Sequence, residues 1–132
     1  MKQFLYFWGI SFPLFVILDA IWFSVSLERL YKPYIGHIIS GHFNYFIAAI
    51  FYLLYSAGLT FLVLLPGLSS GQSLLNVAIH GFILGLVAYG AYDLTNHATI
   101  KDWPAIVTII DMLWGASVTG IVSCLAYKLY KW

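Results

Sequence analysis

"VAIHGFILGLVAYGAYDLTNHATIKDWPAIVTIIDMLWGASVTGIVSCLAY", residues 77 to 127, places two long apolar runs on either side of a short polar break. A helix that crosses a bilayer needs roughly 20 mostly apolar residues. Both runs reach that length once their flanks are added, giving spans over about 74–94 and 104–128. The break between them, 95–103, is expected to be a loop. Asp102 is placed to cap the next helix, and Pro104 suits its first turn. Trp103 is expected to anchor at the membrane interface.

The same reading extends toward the N-terminus. "FLYFWGISFPLFVILDAIWFSVSL" forms a span over about 4–27, with Pro13 expected to kink it. It is too long and too interrupted by Asp19 for a signal peptide, so an uncleaved first span is expected. A second span covers about 43–65, with Pro66-Gly67 expected to end it. Between them lies "ERLYKPYIGHIISGH", residues 28–42, which mixes charge with Tyr and Ile. That pattern suits a segment lying in the interface.

Composition agrees. Of 132 residues, 62% are hydrophobic and 8% are charged, against about 25% charged in a soluble domain. The expected fold class is all-α: one integral membrane domain over 1–132, a four-helix bundle with an interfacial segment between helices 1 and 2. The net charge of +1 gives no reason to expect nucleic acid. Cys124 is the only cysteine, so no internal disulfide forms.

An even number of spans puts both termini on one face. The opposite face receives the 28–42 segment and the 95–103 loop. Asp19 lies ~12 Å inside that face and Asp111 ~10 Å, by helix rise. Asp93 ends the third span beside them. A carboxylate inside a span costs about 2.5–3.5 kcal/mol on insertion scales, so these acids are expected to face the bundle interior. Lys and Arg divide three against three between the faces, and the N-terminal amine tips the expectation to termini inside.

Asp19, Asp111 and Asp93 are the candidate catalytic residues; Trp22, Thr95, Asn96 and Trp114 are the candidate ligand-binding ones. "LDAIW" and "IDMLW" each set a Trp three residues after an Asp, on one helical face. Trp22 falls where an aromatic belt would explain it; Trp114 lies deeper. Gly81 and Gly85, like Ala116 and Gly120, have the spacing that lets helices approach closely within the bundle. Asn76 and His80, toward the other face, are expected to make a polar contact between helices. There is no HExxH or CxxC, so no metal is assigned, and no cofactor is expected.

"LDAIW", "YDLTNHATIKDWP" and "DMLWG", taken in order, resemble the signature of a bacterial family of small four-span membrane proteins, domain of unknown function 2177. The resemblance covers nearly the whole chain. It implies a bacterial, inner-membrane protein and lends no reaction.

Three functions fit these residues. The first is an enzyme or binder that takes a lipid or other apolar molecule between its helices. Two carboxyls sharing one site do not both ionise cheaply, so a protonated acid and an ionised base would coexist near neutral pH. The second is a proton-coupled transporter, which with four spans would need a homo-oligomer. The third is an accessory subunit whose acids latch helices together. The expected partners are membrane lipids.

Overall fold

A computed structural model describes residues 1–131. Four helices are long and apolar enough to cross a membrane: α1 (Lys2–Ile35), α2 (Tyr45–Ser69), α3 (Leu74–Thr99) and α4 (Ala105–Lys131). No strand occurs among the described residues. Large apolar side chains such as Leu54, Phe61, Leu75 and Val87 are exposed on the outside, which suits a chain solvated by lipid. Both termini lie at one end of the bundle. Tyr6 donates to the Leu129 carbonyl at 3.2 Å, and its ring meets that of Tyr130 edge-on at 5.2 Å.

All four helices outrun their expected ends, the first three for local reasons. α1 and α2 each pass through a proline. In both, a five-residue π-helical segment stands directly ahead of it: Leu27–Tyr31 before Pro33, and Thr60–Leu64 before Pro66. Lys32 N–H reaches back five residues to Leu27 O, and Leu65 N–H does so to Thr60 O. Proline lacks an N–H and crowds the carbonyl four residues back. A widened turn removes that crowding and lets the helix continue. Pro66-Gly67 therefore does not end the second helix. Pro13 also stays inside α1.

α3 runs to Thr99, so Thr95 and Asn96 are helical rather than part of a loop. Thr99 hydroxyl donates to Thr95 O at 2.7 Å, and the helix closes when Ile100 N–H donates to Asn96 O at 2.8 Å. Asp102 is not the cap of α4. It sits in the connecting turn at φ 60, a left-handed conformation that Asp tolerates better than most residues. Pro104 carbonyl instead accepts from Val107 N–H at 3.1 Å.

The interfacial segment is only half as expected. Residues 28–35 prolong α1, and Leu30, Tyr31 and Ile35 are buried against Trp103 and Val107. An extra residue in the π-helical turn advances each later side chain around the axis, which aims Tyr31 at α4. Tyr34, Ile38 and Ile39 remain exposed. Trp103 is buried here instead of anchoring at the interface, and its Nε1 donates to Thr108 Oγ1 at 3.0 Å.

α3 and α4 pack most closely. A Cβ on Gly85 would stand 2.6 Å from Thr119 Oγ1, and one on Gly81 would stand 2.9 Å from Thr119 O. The small-residue spacing thus serves contact inside the bundle. Asn76 and His80 do not bridge helices. Both are exposed, and His80 Nδ1 pairs with Gln72 Oε1 of the preceding turn at 3.1 Å. The main core joins Phe7 and Phe15 of α1 to Leu59, Val77, Val118 and Val122.

Candidate functional site: an acid-lined cavity beside α2

α2 stands away from the bundle over its first turns. No residue from Tyr45 to Tyr55 is fully buried; burial begins at Ser56. Asn44 caps this helix, accepting from Ile47 N–H at 3.2 Å. The gap left behind forms two cavities. One of about 490 Å³ is bounded by all four helices, with Asp19, Trp22, Tyr52, Tyr89, Asp111 and Trp114 in its wall. The other, about 730 Å³, lies between α1 with its 27–39 extension and α2, and is closed by Tyr92, Trp103, Val107 and Asp111. Phe23, Phe43, Ala48, Tyr52, Tyr92 and Asp111 line both. Each volume falls within the roughly 300–1,000 Å³ range of small-molecule pockets.

Asp19 is 3% exposed. Its carboxylate accepts from Trp114 Nε1 at 2.8 Å and from Tyr52 hydroxyl at 2.9 Å. One acid on α1 thereby holds α2 and α4. Asp111 accepts from the Tyr31 hydroxyl, which in turn receives Trp22 Nε1 at 3.1 Å. The two indoles stack, with centroids 4.5 Å apart and planes 7° from parallel. The network therefore runs from Asp19 through Trp114 and Trp22 to Tyr31 and Asp111. Trp22 belongs to this stack.

Asp93 lies about 9 Å inside the end of α3, six residues before Thr99. It is fully buried, and neither of its carboxylate oxygens receives a donor from the described residues. Its neighbouring acid is Asp111. Two ionised carboxylates would repel there; one shared proton turns the contact into a bond. The adjacent acids are thus Asp93 and Asp111, while Asp19 shares the cavity with Asp111 but keeps its own donors.

Thr95 and Asn96 are not brought to either cavity. Thr95 is exposed and its hydroxyl donates to Ala91 O and Tyr92 O within α3. His97 turns to Thr108 Oγ1 at 3.4 Å instead of to the acids. No three His, Cys, Asp or Glu side chains gather as a metal would require among the described residues. The sequence reading missed Tyr31, Tyr52, Tyr89 and Tyr92. Only Tyr31 carried a local signal: it sits two residues before Pro33, where the turn has to widen.

The fold and its buried acids define a four-span membrane bundle with a cavity in one half. The chain belongs to the family described as "Predicted membrane protein (DUF2177)", whose model matches residues 4–128. No curated protein and no solved structure matches it.

Proposed function

We propose that the protein binds a lipid or other amphipathic molecule in the cavity beside α2 and exchanges a proton with it through Asp111. What supports the reading is one feature above the rest: a cavity with aromatic walls holds the carboxyls of Asp19 and Asp111 in a bundle half where α2 stands off. An apolar tail entering sideways from the bilayer would lie along Phe23, Phe43 and Ala48. Its head would meet Asp111, which has Asp93 behind it as a partner for a mobile proton. The setting we propose is the inner membrane of a bacterium.

The transporter alternative needs a polar path to the other face. The Tyr55 hydroxyl of the cavity wall reaches Thr119 Oγ1 at 2.9 Å, but beyond it the hydroxyls turn to their own helices: Ser56 donates to Tyr52 O, Thr119 to Gly115 O and Ser123 to Thr119 O. That favours binding. The latch alternative accounts for Asp19 and for a pairing of Asp93 with Asp111 across α3 and α4, but leaves the cavity without a purpose.

The test is lipid profiling of cells that carry the gene, lack it, or carry Ala88→Phe, which fills the cavity from α3. The deletion should change the level of a lipid or lipid-like species. Wild type should restore it, and a stably expressed Ala88→Phe protein should not. An unchanged profile across all three strains would refute the proposal.

A further inference from the structure

The head group of the ligand can be narrowed from the charges and rings that face it, on the assumption that the cavity binds an amphiphile as proposed above. Asp19 and Asp111 both line the smaller, four-helix cavity, and Asp93 neighbours Asp111. Asp19 accepts from two neutral donors. No basic side chain answers these acids. None of the chain's six Lys and Arg residues lines either cavity. Among the described residues the only ion pair is Lys32 with Glu28, both largely exposed.

Charge alone would not make a site. A further observation points to a ligand. The cavity wall is aromatic: Trp22 and Trp114 stack at one side, and Phe51, Tyr52, Tyr89 and Tyr92 supply further rings. Ring faces carry negative charge density and attract ammonium groups, most strongly where water is excluded. Rings together with carboxylates form the surroundings in which an organic cation replaces its lost hydration. A phosphate would meet like charge and find no basic side chain.

We infer that the cavity takes an amphiphile whose head group is an ammonium, seated between the Trp22–Trp114 stack and Asp111, with its tail extending past Phe23 and Phe43. This step is binding: the ammonium exchanges its hydration for carboxylate and ring contacts, no covalent bond changes, and the proton exchange proposed at Asp111 is separate from it.

Native mass spectrometry of the intact protein in an uncharged maltoside detergent tests this. Dodecyltrimethylammonium, dodecanol and dodecyl phosphate, which share one tail, are added at equal mole fraction. The expected result is a one-to-one adduct with the ammonium, about tenfold more populated than with the phosphate, because like charges in a dry site repel strongly. The alcohol adduct should also be weaker. Asp111→Asn should lower the ammonium adduct, and the wild-type comparison stands even if that variant does not fold. An alcohol or phosphate adduct as abundant as the ammonium one overturns the head-group assignment and leaves the cavity reading intact. Absence of an adduct with all three overturns both.

Discussion

Replacing Asp93 by Asn should leave the fold intact, whereas replacing it by Ala should not. Asp93 is fully buried, and no N–H or O–H of the described chain reaches its oxygens. Its one polar neighbour is the Asp111 carboxyl. If the two acids share a proton, that contact is favourable in the wild type. Asn has the same shape and offers an N–H₂ in place of the proton, so Asp111 keeps two donors, one from residue 93 and one from Tyr31. The stability of Asp93→Asn is expected within about 1 kcal/mol of wild type, the net worth of one hydrogen bond. Ala removes the donor, leaves Asp111 short of a partner and opens a small void. The expected loss is about 1–3 kcal/mol, the cost of a buried polar group left unsatisfied. Reversible unfolding in mixed micelles, read by tryptophan fluorescence, measures both. Should Asp93→Asn lose as much as Asp93→Ala, the shared-proton reading is wrong and Asp93 needs its full acceptor capacity. A complementation assay adds the functional half. Asn cannot pass a proton to Asp111, so a stable Asp93→Asn protein should fail wherever proton exchange is required.

Asp19→Ala strands the Tyr52 hydroxyl and the Trp114 indole N–H. Interhelical bonds in membranes average about 0.6 kcal/mol and reach about 1.7, so two of them predict a loss of about 1–3.5 kcal/mol in the same unfolding assay; no change would remove Asp19 as a bridge between helices. Gly85→Ala drives a Cβ onto Gly115 O and Thr119 Oγ1; overpacking of this kind costs about 1–3 kcal/mol, seen as reduced yield and a lower melting temperature, and a wild-type melting temperature would contradict the tight α3–α4 contact. Cysteines placed at positions 2 and 131 should be labelled from the same side of the membrane. Labelling from opposite sides would refute the paired termini.

Four spans follow from the sequence alone, because the bilayer sets a length and an apolarity that local sequence must meet. The place of the acids in one half of the bundle follows as well, since helix rise converts residue number into depth. What sequence spacing does not carry is rotation about each axis. "LDAIW" and "IDMLW" read as an Asp and a Trp sharing a face on each helix. In the folded bundle the partners cross over: Trp114 of α4 serves Asp19 of α1, while Trp22 of α1 reaches Asp111 of α4 through Tyr31. Tyr31 arrives there because the π-helical turn ahead of Pro33 shifts the face of α1 after Leu27. Asp93 pairs with Asp111 because α3 continues to Thr99 and packs tightly on α4 through Gly81 and Gly85. The cavity itself depends on α2 leaning away over its first turns, and no residue in that stretch announces it. Depth in the membrane is a property of each helix alone; partner choice and empty space belong to the packing of all four.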